Sequence, residues 1–364
     1  MNLTQLKRAV ALEPVERLPF APCAPAFFPL DGGISLKTAT TDFETASKVN
    51  LAEHIKYNAT CSQADIFIPY MLSTFWLSKV SVPGVELGDN DLWQMNEEKD
   101  FVTQDDYREI VATGFGPWFA KFKKERLDDV DSKLMPFFQN AGPSAMRFIE
   151  AGIPPIVGTL MITPFEYFCG GRSMTSFFMD DLMDEPELTE AVFKKTMDYS
   201  LAVYQGLFDM VHPIGAWVGG WRAAPDMISM DMFEKWALPY IREYVDLCIK
   251  NNVIPILHLD SCWDNALVHF RDFPAKKCIM ALDGKTDIFK AKKILGDMMC
   301  IMGDVPPEML AFGTYDEIYS YCLRLIHEVG PTGFIMASGC DIPPNAKPEC
   351  VMAMSDAARS YKPV

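Results

Sequence analysis

From about residue 150 onward, short apolar runs alternate with longer amphipathic stretches. Ile156–Ile162, Ile214–Gly219, Val253–His258, Cys278–Leu282, Met299–Met302 and Gly333–Ala337 are apolar runs bounded by polar or turn residues. That is the pattern of strands buried on both faces. The helical patterns between them have legible starts. Pro164 suits a first helical position, and Asp184-Glu185-Pro186-Glu187 opens a helix running to about Met210. Ser229 precedes a helix ending near Asn251, Asp287 precedes the next, and a last helix is expected from Pro348 to about Tyr361. Earlier, an amphipathic helix closes before Pro14. Pro19–Pro22 and Asp65–Pro69 read as two further strands, with a helix from about Asp42 to Asn58 between them. Strand–helix alternation with short connections implies a parallel sheet covered by helices. Eight such strands in 364 residues predict a closed (β/α)8 barrel, a TIM barrel. An open doubly wound sheet is disfavoured, because no glycine-rich phosphate loop follows any strand.

One stretch interrupts the alternation. Residues 70–100 carry Tyr70, Phe75, Trp76 and Trp93 with little periodicity, too long for an ordinary connection. Residues 104–150 look helical, with a charged face around Lys121, Lys123, Lys124, Glu125 and Arg126. The reading is one barrel domain, residues 1–364, with 70–150 as an excursion or lid. Composition agrees: 49% hydrophobic residues suffice for one large core. A net charge of −16 argues against nucleic acid or an anionic membrane surface as partner, since both need clustered positive charge. No apolar run reaches membrane-spanning length, and the N-terminus lacks the apolar core of a signal peptide. The ten cysteines are scattered with no CxxC pair, which fits reduced thiols and a cytoplasmic location.

In a parallel barrel the strand ends locate the chemistry. They are Tyr70, Thr163 with Glu166, Trp221 with Arg222, His258 with Asp260, Asp283, Asp304 and Cys340. Most have a structural reading when taken singly: Asp304 before Val305-Pro306-Pro307 as a helix N-cap, Asp283-Gly284 as a plain turn, Arg222 as a partner of Asp226. His258 differs from the other four histidines. In Ile254-Pro255-Ile256-Leu257-His258-Leu259-Asp260-Ser261-Cys262 an imidazole, a carboxylate and a thiol follow at two-residue spacing, and so share a face if the strand continues. With Cys340 from ASGCDIPP they make an N/O/S set suited to zinc with one position open. Cys262 competes with Asp260 as a ligand. The alternative is that Asp260 only orients His258 and the cysteines are packing.

The segments WVGGWRAAPDMIS, PILHLDSCWD, CIMGDVPPEMLAFGT and GFIMASGCDIPP resemble the uroporphyrinogen decarboxylase superfamily. The likeness is clearest from about residue 150 to the end. It implies a (β/α)8 barrel and one of two chemistries. The decarboxylase branch uses no cofactor and holds its polycarboxylate substrate with an arginine-rich segment after the first strand. Here no arginine lies between Arg17 and Arg108, and the corresponding loop reads CAPAFFPLDGG. Burying carboxylates without partners is costly, which disfavours that branch. The methyltransferase branch exchanges methyl groups with a corrinoid protein, often using zinc held by a His-x-Cys pair and a distant cysteine. His258 and Cys340 match that pattern; Asp260 stands where the branch carries cysteine.

The resemblance therefore implies zinc at His258, Asp260 and Cys340, and a corrinoid (cobalamin) carried on a separate protein. The implied substrate is a small methylated donor, with an aromatic methyl ether, as in O-demethylation, suggested by the aromatic residues. Glu166, Asp283 and Asp304 are expected as acids or orienting groups, and Tyr70, Trp76, Trp221 and Arg222 as the substrate lining. Transfer from a methyl-corrinoid protein to a thiol is a second expectation. A non-catalytic corrinoid or tetrapyrrole binder is a third. A homodimer is expected for the assembly.

Overall fold

The computed structural model describes residues 2–96, 100–330 and 332–363. Six parallel strands form its continuous sheet: β3 (Leu160–Met161), β4 (Gly215–Gly220), β5 (Ile254–Leu259), β6 (Ile279–Leu282), β7 (Cys300–Val305) and β8 (Phe334–Ser338), paired in that order. β1 (Val80–Ser81) and β2 (Gln94–Met95) form a separate antiparallel pair.

The ring closes through two segments that are not regular strands, together with the residues that lead into β3. Phe20 bridges Met336 of β8 in parallel fashion, and Ala21 N–H donates to the Met336 carbonyl. Thr60 and Cys61 donate to the Phe20 carbonyl. Ser62 bridges Pro155, and the Gly158 and Trp217 amides bond across to Gly215 and Thr159. The result is an eight-membered (β/α)8 barrel. Pro19, Pro22, Pro154 and Pro155 lack the N–H that a ladder needs, so this side is held by isolated bridges.

The second barrel segment corrects the sequence reading: it is Thr60–Gln63, and Asp65–Pro69 is no strand. Its Ile66 and Ile68 are buried as a strand's would be, but that segment leads away into helix Tyr70–Phe75. Helices Gln104–Thr113 and Phe115–Glu125 follow, and Glu97–Lys99 of the expected excursion lie outside the described residues. Helix Val130–Glu150 returns to the barrel wall beside helix Phe43–Lys56. There Ser144 bonds Ser47 at 2.7 Å, and the Phe148 and His54 rings meet at 5.1 Å.

Two apolar clusters divide the strand residues by parity. Ile256, Ile279, Ala281, Cys300, Met302, Ile335 and Ala337 pack inside the ring. Leu257, Met280, Leu282, Ile301, Phe334 and Met336 pack outward under the helices. Alternation along a strand produces this division, and it places His258, two residues past Ile256, inside. Helix ends follow the expected chemistry in part. Asp287 accepts from the Phe289 and Lys290 amides, and Ser229 from Met232. Asp304 is not a cap: it lies in β7, and Pro306 precedes the next helix. Among the described residues no helix is long and apolar enough to cross a membrane.

Candidate functional site

His258, Asp260 and Cys340 come together at the carboxyl ends of β5 and β8, their ligating atoms all within 4.8 Å of one another. His258 Nε2 lies 3.3 Å from Asp260 Oδ1. The imidazole is fixed from one side by Trp217, whose ring stacks on it at 4.1 Å and 4°. His258 Nδ1 and Asp260 Oδ1 are buried with no hydrogen-bond partner. Buried polar atoms are normally satisfied, so two orphans in a cluster that also holds a thiol mark a candidate ligand-binding site.

The neighbours of this trio are acidic. Asp341 follows Cys340, and its carboxylate accepts from the Cys23 thiol at 2.9 Å. Asp283 accepts backbone N–H bonds from Ser261 (2.7 Å) and Lys285 (2.8 Å), tying the loop after β5 to the loop after β6. Burial raises the Asp283 pKa, and negative Asp260 adds to the rise. Burial raises Asp341 likewise, and Cys340 is pushed well up by burial, then by Asp341 and Asp260. Burial alone would lower His258, but the Asp260 charge and hydrogen bond raise it overall. Asp283, Asp341, Cys340 and His258 are thus each pressed to hold a proton. A cation among them would relieve that pressure, which is the electrostatic condition for metal binding. His258 and Cys340 line a cleft partly open to solvent, with Cys23, Gln63, Ala281, Leu282 and Met302.

The other expected residues divide. Trp221 joins the site: its ring lies 6.5 Å from the His258 ring and 5.4 Å from the Trp76 ring. It folds back over Gly219, where a Cβ would meet the indole at 2.1 Å, so only glycine fits. Arg222 lies over the Trp76 ring at 5.4 Å. Glu166 is buried, and its carboxylate accepts from the Trp221 (2.9 Å), Arg222 (3.1 Å) and Ala223 (3.1 Å) amides. Burial raises its pKa against the pull of these donors. Glu166 thus anchors the loop that carries Trp221. Asp304 accepts from Tyr321 of helix Tyr315–Glu328 at 2.7 Å and is not part of the His258 cluster. Tyr70 packs under the Lys133 ammonium (4.7 Å). Cys262 is outside the cluster; its N–H bonds Asp226. Sequence reasoning missed Cys23, Gln63, Trp217 and Asp341. Only Asp341, adjacent to Cys340, and Trp217, two residues before Gly219, carried a local signal.

Fold and site together define a (β/α)8 barrel with a candidate metal centre at the carboxyl ends of its strands. The family model for uroporphyrinogen decarboxylase (URO-D) matches residues 144–361. The chain belongs to the uroporphyrinogen decarboxylase family. A relative from Chlorobium phaeovibrioides, named uroporphyrinogen decarboxylase, is 26% identical over 189 residues, 49% of this chain and 51% of the relative. One of the same name from Geobacter sp. (strain M21) is 26% identical over 255 residues, 66% and 72% of the two chains. The chain thus spans about half the length of the first of these relatives. A solved structure of a methyltransferase from Methanosarcina mazei superposes with a TM-score of 0.71 over 98% of both chains, at 18% identity. That likeness establishes the shared fold.

Proposed function

We propose that the protein is a zinc-dependent methyltransferase that moves a methyl group from a small methylated donor to the cobalt of a separate corrinoid protein. The observation that carries this reading is the convergence of His258, Asp260 and Cys340 within 4.8 Å, two of them with orphaned buried atoms. Those atoms and the raised proton affinities around them fit a bound cation. Zinc held by these three residues would supply Lewis acidity toward the heteroatom of the donor.

The chain's own residues do the rest. Trp217 holds the His258 ring in one plane by stacking. Glu166 sets the 221–223 backbone and so places Trp221 beside the His258 ring. Ala281 and Met302 supply an apolar wall that excludes water from the reacting bond. Asp283 and Asp341 both interact with His258 and have raised pKa values, so each can hold a proton for a leaving alkoxide or amine. Of the acids expected from sequence, Asp283 keeps that role, while Glu166 and Asp304 serve positioning.

The relatives' names favour a second reading, decarboxylation of uroporphyrinogen. The site argues against it. A polycarboxylate would meet Asp260, Asp283 and Asp341, and the loop after the first barrel segment buries Ala26, Phe27, Phe28 and Pro29 where cations would be needed. The test mixes purified protein with Co(I) corrinoid and a panel of methyl ethers, methylamines and methyl thiols, following the cobalt spectrum. Conversion to a methyl-cobalt spectrum with one donor class is expected. No change with any donor, together with turnover of uroporphyrinogen, overturns the proposal.

A further inference from the structure

Among the polar residues of the cleft, Gln63 stands apart from the ligand trio. It ends the second barrel segment, two residues past Cys61 of the inner cluster, and so shares the inward face. It is 6% exposed and lines the cleft with His258 and Cys340. Its backbone N–H donates to the Pro22 carbonyl (3.4 Å) and its side-chain Nε2 to the Ala21 carbonyl (2.6 Å). A carbonyl only accepts, so this contact settles which end of the amide is nitrogen. Ala21 is itself tied to Met336 of β8. The amide is thus held by the barrel wall, and its oxygen, Oε1, is the acceptor at the other end.

The hydrogens around the cleft point to the kind of ligand. Ser338 O–H donates to the Cys340 carbonyl at 2.6 Å, Gly339 N–H to the Val305 carbonyl at 2.9 Å, and the Cys23 thiol to Asp341 at 2.9 Å. All three residues line the cleft, and these donors are spent inside the protein. One N–H of Gln63 is spent on Ala21 in the same way. Lone pairs on Gln63 Oε1 and Ser338 Oγ are what these groups keep for a ligand. A ligand that offers only acceptors sets lone pair against lone pair, which leaves buried polar groups unmet. A ligand with an N–H or O–H is met. The residue type at 63 agrees. Glutamate there would press a negative charge against the Ala21 carbonyl and add a carboxylate to Asp260, Asp283 and Asp341. Glutamine keeps the acceptor without the charge and also supplies the N–H that anchors it.

We infer that the methyl donor carries an N–H or O–H hydrogen on or beside the methylated heteroatom, and that Gln63 Oε1 accepts it. The inference rests on the methyl-transfer reading and adds a second recognised group to the substrate. The test uses the zinc-loaded full chain and donors in pairs that differ by that hydrogen: 2-methoxyphenol against 1,2-dimethoxybenzene, and trimethylammonium against tetramethylammonium. Calorimetric titration without corrinoid reads binding, and methyl-cobalt formation from Co(I) corrinoid reads kcat/KM. The hydrogen-bearing member of a pair is expected to be favoured about 50-fold, since a site built to accept a hydrogen bond rejects the analogue that lacks it. Gln63→Met keeps the length and removes the acceptor. It should cut that preference about tenfold, through KM, with zinc content unchanged. Circular dichroism checks that the variant folds; if it does not, the wild-type preference decides alone. Equal use of both members of a pair, or a preference that survives in folded Gln63→Met, overturns the inference and leaves methyl transfer standing. Failure of all four compounds to bind also overturns it, and the wider donor panel then decides methyl transfer separately.

Discussion

Glu166 and Asp260 are both carboxylates at the barrel mouth, close to the rings of Trp221 and His258, yet their circumstances are opposite. Glu166 is buried and satisfied, its two oxygens taking three backbone N–H groups from one loop. Asp260 has a buried oxygen with no hydrogen-bond partner, 3.3 Å from an imidazole whose other nitrogen is also orphaned. A satisfied buried carboxylate holds the fold together. An unsatisfied one stores a cost that binding can remove. The distinction separates scaffold from site more sharply than proximity does.

The strongest way to break this comparison is to delete the imidazole. His258→Ala is expected to abolish zinc binding and methyl transfer together. The stack on Trp217 is lost as well, so the fold should be checked by circular dichroism. Elemental analysis decides the matter: wild-type zinc content in a folded His258→Ala would falsify the assignment of this residue as a ligand.

Glu166→Gln should produce the converse result. The amide keeps the shape but turns an N–H2 group toward backbone donors that need an acceptor. Leaving such buried donors unmet costs about 2–4 kcal/mol. A melting temperature lower by several degrees is expected, with activity reduced through a displaced Trp221 and zinc content unchanged. If zinc falls in step with stability, Glu166 and Asp260 belong to one unit and the contrast fails.

How much of this was legible beforehand follows from where each signal resides. β5 and β8 were readable because both carry period-two or continuous apolar patterns, and Cys340 follows β8 directly. Thr60–Gln63 was not readable. It is short and polar, and it earns its place by accepting and donating bonds to Phe20 and Pro154, which lie far away in sequence. Asp65–Pro69 misled because burial of Ile66 and Ile68 gives the same alternation whether or not a ladder forms. Glu166 was visible as a residue but not as an anchor, since its partners are amides more than fifty residues on. Backbone donors leave no trace in side-chain identity.

Asp304 offers a smaller, pH-dependent effect. Burial pushes its pKa up to about 6, against the pull of the Tyr321 hydroxyl. The folded form therefore holds this proton at pH values where the unfolded chain, near 3.8, has lost it. Stability from this group is present below about pH 4 and falls as pH rises through about 6, by roughly 3 kcal/mol in all at 1.36 kcal/mol per unit. Asp304→Asn keeps an acceptor for Tyr321 and removes the titration. Its melting temperature should match wild type at pH 4 and exceed it at pH 8. Identical pH profiles for the two proteins would mean that Asp304 ionises as an ordinary exposed carboxylate.

The smallest expected effect tests which sulfur belongs to the site. Spacing alone puts Cys262 in phase with His258 and Asp260 if β5 continues, but the strand ends at Leu259. Ser261 then adopts a left-handed conformation (φ 73°), which a strand cannot pass through. The turn is held by Ser261 N–H on Asp283 and Cys262 N–H on Asp226. The thiol that joins His258 and Asp260 comes instead from Cys340. Cys262→Ser should therefore leave zinc content and activity within error of wild type, whereas Cys340→Ser should lose most of both. Loss of zinc in Cys262→Ser with retention in Cys340→Ser would require the 261–264 turn to rearrange on binding. The ligand set would then lie almost wholly within one segment, and the role of Asp260 would pass to its neighbour.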